Sequence, residues 1–448
     1  MSNIGASANR PPSGSLLDVL PSTSWKLPKT SAFWLVAVIF GVLLFSAGAP
    51  TPLYGVYQAE WHFSPTKLTI IFAAYGLGVL TALVAFGALS DRVGRRPVLA
   101  ASIVAVMISM LVFATARSVG WLIVARLIQG LAVGTASTAA SAALIELEPP
   151  ERHGIGALAA ATAPSFGLAS GSLVTSLLVD FGPAPTVAVY LGLFAVFALA
   201  LVVVFLMPET AGPSGQVAHV WQPRRISVPP ELRGRFALLA IGVAASWSVG
   251  GFYLSLGPSL AAELLHSHHR TVGGVVVFLL IGLGSCVTLF VSGWSNRRVG
   301  YFGAVFMILG LLLVLYAVSV ESTLLFFAGS VVLGSGWGPT YMAGFRSIAA
   351  LAPPQHKAEM LAAVFAVGYL FFSLPAVAVG LVATHFGLHT ATLAFGAVVI
   401  CMGAIAGIGV HAAERAGAVA PLPEVAPVIK YEPCPAPCTV PHLVDCRC

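Results

Sequence analysis

Twelve apolar runs, each of 18 or more residues, leave this chain few ways to fold. The first six cover approximately 32–54, 67–89, 98–116, 121–145, 155–179 and 186–207; the second six cover 236–264, 271–292, 303–320, 323–349, 360–381 and 390–411. A run of about 20 residues rising 1.5 Å per residue crosses the hydrocarbon of a bilayer. Inside that layer only a helix or a closed barrel satisfies its own backbone. Runs of this length predict an all-α membrane protein with twelve transmembrane helices. Composition agrees: 58% of residues are hydrophobic and 8% charged, against about 25% charged in ordinary soluble domains. The 46 glycines and 30 prolines are compatible with helices here, because membrane helices carry both more often than soluble ones.

The breaks between runs divide the chain. Residues 1–30 form a polar, proline-containing tail without an apolar core of its own, so the first run is expected to act as the insertion signal and remain. The single long internal loop, 208–235, separates a first bundle (31–207) from a second (236–411). Residues 412–448 form a Pro- and Cys-rich tail predicted to be disordered. With both termini in the cytoplasm, 17 of the 22 Lys and Arg residues fall on cytoplasmic tails and loops, and only Lys67, Arg117 and Arg270 fall outside. That bias predicts a multi-pass protein of the cytoplasmic membrane in this orientation. It also accounts for the net charge of +6 without a nucleic-acid partner.

The two bundles repeat one another. Gly87-Ala-Leu-Ser-Asp91-Arg92-Val-Gly94 matches Gly293-Trp-Ser-Asn-Arg297-Arg298-Val-Gly300 at an offset of 206. Ala49-Pro50 matches Gly257-Pro258, Pro149-Pro150-Glu-Arg152-His153 matches Pro353-Pro354-Gln-His356-Lys357, and Asp180-Phe181-Gly182 matches His385-Phe386-Gly387, at offsets of 208, 204 and 205. Two six-helix repeats of like topology are a transporter architecture with its site near the midplane, where the repeats meet.

The first copy of that loop continues as Arg95-Arg96-Pro97. The whole stretch, 87–97, resembles the loop 2–3 signature of the major facilitator superfamily. Arg126-Leu-Ile-Gln129-Gly130 resembles the family's second motif, and Pro208-Glu209-Thr210 resembles the sequence that closes its sixth helix. The twelve-helix plan extends the resemblance over residues 30–411. The resemblance implies that Asp91, with Gly87, Arg92, Gly94, Arg95 and Arg96, forms a cytoplasmic gate. There Asp91 approaches the start of helix 11 when the cavity faces outward. It also implies a coupling role for Arg126, Gln129 and Gly130. Two departures stand out: the second copy carries Arg297 where Asp91 stands, and the helix 5 signature linked to antiporters keeps only Pro164 and Gly167.

Further residues are read as lining a path. On the fourth run Arg126, Gly130, Gly134, Ser137 and Ser141 share an arc at 3.6 residues per turn. A charge inside a span costs about 2.5–3.5 kcal/mol on insertion scales, so Arg126 is expected to face the bundle interior. It either couples charge movement or meets an anionic substrate, or it packs helices by bonding carbonyls. Ser248, Phe252 and Ser255 on the seventh run, and Ser330, Trp337 and Tyr341 on the tenth, supply aromatics and hydroxyls suited to an amphipathic solute. No acid or histidine falls mid-span.

These features predict a secondary transporter of a small organic solute by alternating access, exporting drug-like or amphipathic compounds with proton coupling. Uptake of a sugar or organic acid is the alternative, as is a membrane sensor that binds without carrying. The sensor would use Cys434, Cys438, Cys446 and Cys448, soft ligands of the kind that hold zinc or copper(I), though in no familiar spacing. No nucleophile–base grouping and no Gly-x-x-x-x-Gly-Lys-Ser/Thr loop appears, so neither an enzyme nor ATP drive is expected. The expected partners are the solute, membrane lipid and protons; no cofactor is expected, and the chain is expected to be a monomer.

Overall fold

The computed structural model describes residues 27–152, 154–211, 226–266 and 269–415, with side chains to residue 407. The cysteine group at 434–448 lies outside the described residues, as do most of the N-terminal tail and half of the central loop. Every long element is helical. The first half holds α1 (Lys29–Gly48, continuing as Pro50–Trp61), α2 (Pro65–Phe86), α3 (Arg95–Ala114), α4 (Val119–Glu146), α5 (Ile155–Phe181) and α6 (Pro185–Leu206). The second holds α7 (Arg233–Ser255, continuing as Gly257–Leu265), α8 (Thr271–Phe290), α9 (Asn296–Ser319), α10 (Thr323–Leu351), α11 (Lys357–Phe386) and α12 (Leu388–Arg415).

Eleven of these helices are long and apolar enough to cross a membrane. The twelfth, α10, has the length at 29 residues but less apolarity. Gly329, Ser330, Gly334, Gly336, Gly338, Gly344 and Ser347 are buried in it, so small and polar residues take the place of an apolar surface there.

The packing repeats from one half to the other. α1 packs on α5, α2 on α4, and α3 on both α4 and α6; in the second half α7 packs on α11, α8 on α10, and α9 on both α10 and α12. Proline repeats too: Pro50 interrupts α1, and Pro258 sits in the first turn after the break in α7. Helices in lipid gain no hydrophobic energy by meeting, so they hold together through close contact of small residues. The α2/α4 crossing shows this, because a Cβ on Gly78 would press the backbone of Leu127 and Gly130.

Between the halves, contact runs along α2 with α11 and α5 with α8. The second seam is dense at the start of α8 and thins toward its end. Here "inner" denotes the side of the loop between α2 and α3, and "outer" the opposite side.

Candidate functional site

The inner loop is built on one arginine. α2 ends before Gly87, a five-residue helix Leu89–Val93 follows, and Gly94 turns the chain into α3 with φ of +109°, a region that favours glycine. Arg95 is 8% exposed. Its Nη1 donates to Asp91 Oδ1 at 2.5 Å and Ser90 Oγ at 2.7 Å, and its Nη2 donates to Glu146 Oε1, at the end of α4, at 2.8 Å. Glu146 also accepts the Thr210 hydroxyl. Glu209 accepts the backbone N–H groups of Arg95 and Arg96 at 2.8 and 3.1 Å, capping α3 with a carboxylate as the helix dipole favours. A side chain at position 94 would strike that carboxylate. The Arg96 guanidinium lies 5.7 Å over the Phe205 ring of α6. The resemblance places Asp91 against the start of α11. The bond described here is instead to Arg95, and the short helix packs on α3 and α4 of its own half.

The second copy of the loop is quieter. Asn296 donates to Ser347 Oγ at 2.8 Å, Arg346 donates to the Ser292 carbonyl at 2.9 Å, and Arg297 stacks on Tyr301.

Arg126 is buried inside the first half, 1% exposed. Its Nε donates to Tyr54 Oη at 2.5 Å, and its Nη1 donates to the Ala47 carbonyl at 2.9 Å and Gln129 Oε1 at 2.7 Å. Gln129 passes the contact on to the Ser46 carbonyl at 2.8 Å. The rings of Tyr54, Tyr75 and Phe113 lie 5.3, 5.4 and 5.9 Å from the guanidinium carbon. Dipoles and π-faces thus hold this cation, and Nη2 has no partner among the described residues. This is the geometry of the carbonyl-bonded packing alternative, with one donor to spare.

The seams between the halves carry their polar bonds at the outer side. Asp180, at the end of α5, accepts the backbone N–H groups of Arg270 and Thr271, each at 2.8 Å, and the Thr271 hydroxyl at 2.6 Å. Arg270 Nη2 donates to the Gly55 carbonyl in α1 at 3.2 Å. On the other seam the hydroxyls of Thr66 and Thr384 are 2.8 Å apart, and Thr66 N–H donates to Thr384 Oγ1 at 3.2 Å.

Toward the middle of the bundle the contacts become aromatic. Trp247 of α7 meets Tyr369 and Phe372 of α11 at ring-centre distances of 4.7 and 5.9 Å, and Tyr341 of α10 at 6.1 Å. Phe372 meets Phe72 of α2, across the halves, at 4.7 Å. Tyr75, one turn from Phe72, contributes one of the faces around Arg126.

The profile of the Major Facilitator Superfamily matches residues 33–374. The chain belongs to this superfamily. It is similar to the MFS-type transporter PaaT of Penicillium rubens, 29% identical over 42% of this chain and 33% of that one. It is also similar to the 4-hydroxybenzoate transporter PcaK of Pseudomonas putida, 24% identical over 62% of this chain and 64% of that one. The matches thus span from a third to just under two thirds of these curated relatives. Its fold is that of a bacterial homologue of the human lysosomal transporter Spinster solved in an inward-facing, occupied conformation. The TM-score is 0.67 at 12% identity, over 85% of this chain and 97% of that one.

For a superfamily member, several residues read from the sequence as path-lining prove to be packing residues. Phe252 is 2% exposed and stacks on Phe395 of α12 at 4.8 Å, away from the other half. Ser248 and Ser255 are equally buried and donate to carbonyls of Ala244 and Gly251, while Ser330 bonds Tyr253. Hydroxyls one turn above a free carbonyl in a membrane helix commonly bond back to it, which the arc alone does not reveal. Gly130 and Gly134 lie against α2, while Ser137 and Ser141 are half-buried. Trp337 is half-buried, donating from its indole to the Ser246 carbonyl at 2.7 Å. Of the path candidates only Tyr341 joins the central ring cluster. Trp247, Tyr369, Phe372 and Tyr75 were missed, although mid-span Trp and Tyr are out of place by the usual interfacial preference of these residues.

Proposed function

We propose that this chain carries a small aromatic or amphipathic organic solute by alternating access, with the substrate held against Trp247, Tyr369 and Tyr341 in the middle of the bundle. One observation carries the reading: Trp247 gathers Tyr369, Phe372 and Tyr341 around its indole, and Phe372 meets Phe72 across the boundary between the halves. Tyr341 and Tyr369 are half-buried, and such a cluster suits a guest that stacks on the rings and bonds their hydroxyls. Export with proton exchange is the direction and coupling we adopt. Arg126 and the Asp91 gate are the parts through which coupling would act, since the sequence offers no mid-span acid.

One observation favours a second reading, uptake of an organic acid. Arg126 is a buried cation with an unpartnered Nη2 behind Tyr75, and one relative is named as a transporter of 4-hydroxybenzoate.

A solute panel assayed by counterflow in proteoliposomes, with and without an imposed pH gradient, tests both. Trp247→Ala should abolish counterflow of any solute the parent carries. Arg126→Ala should remove the response to the gradient while leaving counterflow. Full counterflow in Trp247→Ala would refute the ring site, and binding without exchange in the parent would point to a sensor.

A further inference from the structure

We infer that Asp180 is the positioning residue that holds the outer side shut, by capping the first turn of α8 across the boundary between the halves. The carboxylate ends one helix and closes the start of another that belongs to the opposite bundle. Its three bonds, at 2.8, 2.8 and 2.6 Å, all go to Arg270 and Thr271. Its side chain is 7% exposed, and the His269 ring lies 3.9 Å away.

The same junction exists on the other seam in neutral form. There the end of α11 meets the start of α2, and Thr384 Oγ1 accepts Thr66 N–H at 3.2 Å while the two hydroxyls share a 2.8 Å contact. Thr66 and Thr271 stand 205 positions apart, Asp180 and Thr384 204 apart, which is the spacing of the internal repeat. Both outer seals are therefore one device used twice, a helix end of one half capping a helix start of the other. Charge separates them. A hydrogen bond to an ionised acceptor is roughly twice as strong as a neutral one, and a carboxylate gains further from the positive end of the helix it caps.

A latch must also release. Asp180 sits at the outer rim of the membrane, one residue from the end of α5, so water replaces its partners when the seam opens. The Arg270 guanidinium braces the same corner against the Gly55 carbonyl. A Cβ at position 55 would occupy the space of that guanidinium, at 2.6 Å from Nη1. Asp180 thus sets how often the protein opens outward.

The test needs no substrate, so it stands or falls apart from the proposed cargo, though it rests on alternating access. In a background with all six native cysteines replaced by serine, one reporter is Ser259→Cys, in the small outer cleft that Thr51, Gly55 and Arg270 also line. The other is Ala362→Cys, two turns inward of Tyr369 on α11. A membrane-impermeant maleimide is applied to each face in turn. Asp180→Ala should raise the labelling rate of Ser259→Cys about ten-fold and lower that of Ala362→Cys, and Asp180→Asn should fall between it and the parent. Gly55→Ala, which displaces Arg270 and leaves the carboxylate in place, should give the same reciprocal change at about two- to three-fold. An unchanged rate at Ser259→Cys in Asp180→Ala would overturn the inference. A rise at both reporters would overturn it too, since that is loosening of the fold and not a shift of state.

Discussion

The outer and inner sides of this protein spend their polar bonds differently. At the outer side Asp180, Thr271, Arg270 and Gly55, with Thr66 and Thr384, join one half to the other. At the inner side Arg95 collects Asp91, Ser90 and Glu146, and Glu209 caps α3, all inside the first half. Bonds of the first kind fix a state, because they must break for the halves to part. Bonds of the second kind fix a shape, because they survive any rigid rocking of one half against the other. The charged cluster richest in sequence signal is thus a scaffold in this state, and the sparse outer residues are the seal.

That contrast is breakable. Arg95→Ala should have the largest effect on stability. Removing one partner of a buried ion pair costs 3–5 kcal/mol, and because Asp91 and Glu146 are 50% and 31% exposed we expect about 2 kcal/mol. Thermal unfolding in detergent reads it, and an unchanged midpoint would show the cluster to be ornamental. Arg270→Ala should leave that midpoint nearly alone while speeding outer labelling, which sharpens the division between shape and state.

Next in size is Asp91→Asn. Its turnover should drop severalfold while membrane insertion and equilibrium substrate affinity stay close to the parent, the outcome expected of a gate that acts only when the halves close inward. Normal turnover would contradict a gating role. Gly76→Val should follow, since Gly76 lies against Ser373 on the α2/α11 seam and a branched side chain would wedge it open; outer accessibility should rise. Thr66→Ala is the mildest. It removes a neutral, part-hydrated contact worth about 1 kcal/mol at most, so outer labelling should change no more than about five-fold.

Much of the fold was legible because lipid imposes a strict rule on backbone polar groups. Twenty-residue apolar runs have one reading, and the Gly-Pro and Ala-Pro breaks in α7 and α1 could be aligned before any coordinates. α10 was read as an apolar run with the others, although several of its polar and small residues are consumed by neighbouring helices. The site was harder. Arg126 and loop 87–97 stand out because charge is scarce, but a charge announces itself without naming its partner, and Glu146 and Glu209 lie far away in sequence. Asp180 looked like an ordinary rim acid until α8 was placed against it. Trp247 and Tyr369 are common residue types whose meaning comes only from convergence, whereas the arcs holding Ser248, Ser255 and Phe252 ran true but faced packed neighbours.

Alternating access is tested most directly by pulsed electron–electron distance measurements on two spin-label pairs in one preparation. One pair bridges the outer side, at Lys67 and His385, and the other the inner side, at Arg92 and Lys357. With Asp180→Ala introduced to favour the other state, the account predicts that the outer distance lengthens while the inner one shortens. Distances that lengthen together, or an inner distance that stays fixed while the outer one grows, would contradict it.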